Sequence, residues 1–174
     1  MQKRCIMIFP RFNNGDAIDA IRKKYDPLAN HVRPHITLVF PFDSDLQPNE
    51  LKEHLAGVLS DVKPFDVVLR GITPSKGHGN YLFLNVESGR EEITEIHKRL
   101  YTGLLEKFLP VWLQSGGYCP HLTVGKIENE EEYKAAIEET GHLKEIFKTT
   151  VDTISVEIID ENQDSMIEME IPLR

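Results

Sequence analysis

Two short segments of this chain are near copies of one another. Residues 34–38 read Pro34-His35-Ile36-Thr37-Leu38, and residues 120–124 read Pro120-His121-Leu122-Thr123-Val124. With 7 His and 10 Pro among 174 residues, chance supplies about 0.02 Pro-His-x-Thr matches. Two matches, each with aliphatic residues at both alternate positions, are therefore not composition noise. In a strand the side-chain period is two, so His and Thr share one face and the aliphatic pair the other. The chain must build two such strands and bury the greasy side of each. Two imidazoles in one molecule are the minimum kit for paired acid and base chemistry.

The rest of the chain supplies a frame for these strands. Apolar spacing and turn residues predict a strand over 4–9, a helix over 16–25, and the first motif strand over 35–40, closed by Pro41. A helix is expected over 48–59. A strand over 65–69, ended by Gly71 to Pro74, pairs with a strand over 81–86 across the turn 75–80. The longest helix is expected over 88–107, capped by Ser88, with Ile93, Ile96, Leu100 and Leu104 as its apolar stripe. A turn at Gly116-Gly117 leads to the second motif strand over 121–127. An acidic helix follows over 130–140, then one long alternating strand over 149–159, and a last strand over 166–171. A strand, helix, strand, strand block recurs after each motif. The architecture predicted is α+β: one domain over 1–174, with two pseudo-symmetric lobes of antiparallel sheet and flanking helices around a central cleft.

Composition narrows the function. A net charge of −8 argues against a broad grip on long DNA or RNA, which needs many phosphate-neutralising cations. It leaves room for a small basic pocket that takes one phosphate group. No apolar run approaches the roughly 20 residues of a membrane span, so no membrane partner is expected. Two cysteines, Cys5 and Cys119, are too few for a disulfide framework and fit a reducing, cytoplasmic setting. No carboxylate or thiol accompanies either motif His at metal-ligand spacing, so neither metal nor cofactor is expected.

The paired motifs, the order of elements and the length together resemble the 2H phosphoesterase superfamily, in its 2′-5′ RNA ligase-like branch. The resemblance covers essentially the whole chain. It implies a bilobal α+β fold with pseudo-twofold symmetry and a metal-independent activity. The implied substrate is a 2′,3′-cyclic phosphate or a 2′-5′ phosphodiester of RNA or a nucleotide, with reversible ligation in some members. By motif match His35 and His121 are the acid–base pair, and Thr37 and Thr123 hold phosphate oxygens. Elementary chemistry agrees. In-line displacement at phosphorus puts the attacking and leaving oxygens on opposite sides, so one group takes a proton while another gives one. Imidazole, with an ordinary pKa of about 6.5, suits both roles. Which His is the base depends on the bond being made. A monomer acting on a nucleotide or RNA end is the expectation; a protein of the same fold that binds such an end without turnover is the alternative.

Other residues are weighed around this core. Arg33 shares the His35 face if the strand extends back through Pro34, and Tyr118 lies near the second motif; both are candidate substrate contacts. Lys126 falls on the face away from His121 unless a bulge intervenes. Phe40, Phe42 and Phe83 read as core, with Phe42 placed near the cleft rim. His97 reads as a structural, partly buried His, and His78 as an exposed loop residue. Ser115 lacks the surroundings of a nucleophile elbow.

Overall fold

The computed structural model describes residues 1–174, apart from the side chains of Ser115 and Gly116. Eight strands and five helices follow in the order β1 (Gln2–Ile8), α1 (Asp16–Tyr25), β2 (Ile36–Ser44), α2 (Pro48–Val58), β3 (Phe65–Ser75), β4 (Tyr81–Ser88), α3 (Arg90–Leu100), α4 (Val111–Gly116), β5 (His121–Lys126), α5 (Glu130–Thr140), β6 (Ile146–Val151), β7 (Thr153–Ile159) and β8 (Ser165–Pro172). A 3₁₀ turn, Gly103–Phe108, separates α3 from α4. The class is α+β. The strands form two antiparallel sheets, ordered β2-β1-β7-β8 and β5-β4-β3-β6. Each motif strand is a sheet edge, and the two edges face one another across the middle of the molecule.

The helices lock the halves together crosswise. Helix α1 follows a strand of the first sheet but packs on β5 of the second; α3 follows a strand of the second and packs on β2 of the first. Gly125 permits the first contact, because a Cβ there would stand 3.1 Å from Tyr25 Cβ and 3.2 Å from Leu82 Cδ1. Apolar side chains of both sheets and of α1, α2, α3 and α5 join one buried cluster. Burial of such area is the main favourable term in folding. Among the described residues no helix is long and apolar enough to cross a membrane.

Several boundaries differ from the sequence expectation, each for a physical reason. Strand β2 runs on through Pro41 to Ser44. An edge strand tolerates a residue without an N–H, and the register shifts between the Arg4 and Ile6 pairs, where Phe40 and Pro41 bulge. Strand β3 likewise continues to Ser75: Gly71, at φ +72°, occupies a bulge, and beyond Arg70 only β4 pairs with it. Pro74 thus costs no ladder bond on its open side. The expected strand 149–159 is two strands. The chain leaves the second sheet at Val151 and enters the first at Thr153, and the alternation shifts phase there, with Asp152 and Thr153 in succession between buried Val151 and Ile154.

The expected helix 88–107 is also divided. Ser88 stays in β4 and makes no cap; the helix starts at Arg90 after Gly89, which has φ +85°. Helix α3 is 11 residues long, equal to α2 and α5. Ile93, Ile96 and Leu100 are buried as expected, but the backbone then tightens and buries Leu105 in place of Leu104. The expected turn at Gly116-Gly117 gives way to α4, whose six residues are too short for periodicity to reveal; Ser115 and the Gly116 part of that turn lie outside the described side chains.

Two glycines have opposite requirements. A Cβ on Gly89 would meet Asp66 O and Val67 Cγ2, each at 2.8 Å, at a positive φ, whereas one on Gly57 in α2 would meet nothing within 4 Å. Gly89→Ala is expected to lower unfolding free energy by about 1–3 kcal/mol. Gly57→Ala should raise it by about 0.4–1 kcal/mol. Urea denaturation of both variants checks the pair, and equal effects would contradict the geometry.

Candidate active site

Each motif histidine is held in the same way. His35 Nδ1–H donates to Arg33 O at 2.8 Å, and His121 Nδ1–H donates to Cys119 O at 2.8 Å. A proline stands between donor and acceptor in both cases. Its ring fixes its own φ and restrains the preceding residue to extended backbone, which holds the accepting carbonyl in place. With the proton on Nδ1, the neutral ring presents an Nε2 lone pair at its far edge. The loop that carries Cys119 is tied to α3, where Arg90 Nη1–H reaches Cys119 Sγ at 3.6 Å and Nη2–H reaches Val86 O at 3.4 Å.

A second shared feature follows each threonine. In the first sheet Met7 pairs with Thr37 but Ile6 with Val39, so Leu38 is an extra residue. In the second, Phe83 pairs with Thr123 but Leu82 with Gly125, so Val124 is extra. Two successive residues are buried after each Thr, Leu38 with Val39 and Val124 with Gly125. Such bulges re-aim side chains and bend the strand. Past them the alternation resumes one residue later. Phe40 therefore returns to the Thr37 side and Lys126 to the His121 side, where its Nζ lies 5.9 Å from the Tyr81 ring. Plain alternation had put Lys126 on the other face; the bulge overturns that.

A cavity of about 770 Å³ opens on the second sheet. Thr37, His121 and Thr123 are in its wall, with Phe40, Tyr81, Phe83, Trp112 and Tyr118 as aromatic lining. The Phe83 ring stacks on His121 with centroids 3.7 Å apart. Phe40 meets the Trp112 ring edge-on at 4.8 Å, and His78 lies 5.7 Å from Trp112. Asn85 Nδ2–H donates to Gly71 O and to Thr73 Oγ1, both at 2.9 Å. His35 stands beside this cavity, near enough for charge on His121 to lower its pKa. Burial lowers both imidazole pKa values from the ordinary range, partly opposed by the carbonyl hydrogen bonds. For His35, Arg22 adds to the lowering and Asp26 opposes it.

Tyr118 turns its hydroxyl inward and donates to Thr37 O at 2.7 Å, while its ring lies flat on His97, 3.7 Å away at 5°. Burial pushes the phenol pKa well up, so the O–H stays a donor. The buried His97 in turn bonds Leu38 O at 2.7 Å through Nδ1, a structural His as the sequence suggested. Tyr101 adds the third brace by accepting Phe40 N–H at 2.9 Å, its own pKa pushed up to about 12 by burial. Helix α3 through His97, Tyr101 just after it, and Tyr118 in the segment before β5 thus grip the first motif strand on both sides of its bulge.

Arg33 is placed differently. Strand β2 starts only at Ile36, so Arg33 does not follow the strand alternation. Its guanidinium lies over the Phe9 ring at 4.3 Å and lines a neighbouring groove, not the aromatic cavity. Phe42 is 5% exposed and packs on Phe108, so it is core. Phe40 and Phe83, read as core, His78, read as a plain loop residue, and Trp112, not singled out, are the wall residues that sequence reading undervalued. Phe83 had a signal: Tyr81, Phe83 and Asn85 alternate with Leu82, Leu84 and Val86, and strand register puts them on the motif face. Trp112 had none, since α4 is too short. Among the described residues no group of three or more His, Cys, Asp or Glu converges as a metal-ligand set.

Comparison with known proteins agrees with this geometry. The family model described as the 2′-5′ RNA ligase superfamily matches residues 10–163, a span that contains both motifs. A phosphoesterase-named protein of Bacillus cereus is 30% identical over 129 residues, 74% of this chain and 72% of its own length. One of Bacillus licheniformis is 27% identical over 129 residues, 74% and 73% of the two chains. Among solved structures, the TT0787 protein of Thermus thermophilus superposes with a TM-score of 0.65 at 15% identity, covering 99% of this chain and 98% of its own. E. coli LigT complexed with 3′-AMP superposes with a TM-score of 0.65 at 14% identity, with the same coverage. These two likenesses establish the fold, and the family match over most of the chain establishes the membership: the chain belongs to the 2′-5′ RNA ligase superfamily.

Proposed function

We propose that the chain is a metal-independent phosphoesterase that opens a 2′,3′-cyclic phosphate or cleaves a 2′-5′ phosphodiester of RNA or a nucleotide. The observation that carries this reading is the twofold-equivalent tethering of His35 and His121 through Nδ1, which leaves two Nε2 atoms to handle protons. In the hydrolytic direction one imidazole takes a proton from water as its oxygen bonds to phosphorus. The other imidazolium gives a proton to the leaving ribose oxygen as that P–O bond breaks. In the reverse direction the roles exchange. The Thr37 and Thr123 hydroxyls donate to the non-bridging oxygens, where charge is greatest. The aromatic cavity suits a nucleobase, and LigT, a structural neighbour, has been crystallised with 3′-AMP.

The electrostatics favour the working protonation state. Burial disfavours a proton on both rings, and charge on His121 disfavours one on His35 further. The pair therefore passes through a singly protonated form, one acid with one base, over an interval of pH. Because both pKa values are lowered, that interval lies on the acid side of the ordinary imidazole value. Above it both rings are neutral and the general acid is lost; below it both are charged and the base is lost.

Two outcomes are expected. First, His35→Ala and His121→Ala each reduce turnover of a 2′,3′-cyclic nucleotide by about 10²–10⁴-fold with unchanged circular dichroism and thermal midpoint. Thr37→Ala and Thr123→Ala each cost about 10–100-fold, the worth of one hydrogen bond to a charged group. Chelator leaves the wild-type rate unchanged. Near wild-type turnover by either His variant would sink the reading, and ligand binding with no turnover would make the chain a binding protein. Second, kcat/KM is bell-shaped in pH with its maximum below about 6.5. A maximum on the alkaline side would contradict the burial of the pair.

A further inference from the structure

A second groove, of about 690 Å³, lies against the N-terminal side of His35. Arg33 and Pro34, which lead into the first motif, form part of its wall, together with Phe9, whose ring meets His35 edge-on at 6.3 Å. Its charge runs against the composition of the chain. The whole sequence has 20 Lys and Arg against 28 Asp and Glu, yet Arg11, Lys23 and Arg33 all face this groove and are exposed. Among the described residues none of the three has a carboxylate partner within ion-pair distance. One carboxylate, Asp19, shares the wall. The Arg33 guanidinium lies over the Phe9 ring at 4.3 Å, and guanidinium and aromatic planes are surfaces on which unpaired bases stack.

The two cavities differ in kind and His35 stands between them. On its His121 side is the aromatic chamber of about 770 Å³; on its Arg33 side is an open basic groove. A free mononucleotide needs only the first. Single-stranded nucleic acid is held by cations that track its backbone together with flat surfaces for its bases. We propose that the Arg11–Lys23–Arg33 groove binds the sugar–phosphate backbone of an RNA strand whose reacting phosphate lies between His35 and His121. The substrate class is then an oligoribonucleotide end in preference to a free nucleotide. This rests on the phosphoesterase reading above.

The test compares a cytidine 2′,3′-cyclic phosphate with a six-nucleotide RNA ending in the same group, on wild type and on the double variant Arg11→Gln/Lys23→Gln. Both positions are surface residues away from the motif side chains. Wild type is expected to favour the hexamer in kcat/KM by about tenfold or more. The double variant should lose that preference while its mononucleotide turnover is unchanged. Its salt dependence should flatten by about 0.7 in log–log slope for each phosphate contact removed. Equal use of both substrates by wild type, or equal loss on both by the variant, overturns the groove assignment. Binding of a hexamer with a plain 3′-phosphate, read by fluorescence anisotropy, keeps the test independent of turnover. If wild type cleaves neither substrate, the cyclic-phosphate form of the phosphoesterase reading has failed. The groove assignment then stands on anisotropy alone: weaker binding by the double variant supports it, and equal binding overturns it.

Discussion

Both imidazoles are set by one short hydrogen bond used twice, from Nδ1–H to the carbonyl two residues upstream. Everything the cleft can do depends on it. The bond selects the tautomer, and the tautomer decides which ring edge carries the lone pair. The proline between donor and acceptor makes the arrangement cheap in conformational entropy, because φ is set before folding and the preceding residue is already biased to extended backbone. A proline that looks like a strand-breaker in sequence here fixes the carbonyl that orients the motif imidazole. Cys119 and Arg33, unlike in chemistry, have the same backbone duty.

The surrounding fold exists to make those two bonds equivalent. Edge strands β2 and β5 bring the motifs face to face, and each has an extra residue just after its Thr. The crosswise packing of α1 and α3 means that neither motif strand is supported only by its own sheet. Where the halves differ, they differ in what they offer a ligand. Helix α3 reaches over the first motif strand through the stack of His97 on Tyr118 and the Tyr118 bond to Thr37 O. Beside the second motif strand the Phe83 ring is laid on His121 and the wall stays open. A symmetric pair of motif histidines thus sits between unlike walls.

The chemical faces of the motif strands were legible because a strand repeats every two residues and the repeat occurs twice. The helix 16–25 was legible from its apolar spacing, and 130–140 was read from its acidic character. What escaped was information that local pattern does not contain. Leu38-Val39 and Val124-Gly125 are simply apolar pairs until a partner strand shows the register to be broken. In the run from Thr149 to Ile159 the one signal is slight: the polar pair Asp152-Thr153 breaks the alternation where the chain changes sheets. Pro41 and Pro74 look like terminators unless the open edge beside them is known. Tyr118 drew notice for its place in sequence, but its role is a hydrogen bond to a carbonyl 81 residues away, which only the tertiary fold supplies.

Nitrogen-15 NMR of the histidine side chains tests the central claim most directly: both rings present Nε2 to one phosphate. In the free protein His35 and His121 should each show the Nδ1–H tautomer when neutral, and each should titrate below the ordinary imidazole range. On adding a 3′-mononucleotide both pKa values should rise together, because the bound phosphate charge stabilises either imidazolium. An Nε2–H tautomer at either position, or a response confined to one ring, would contradict a shared two-histidine site.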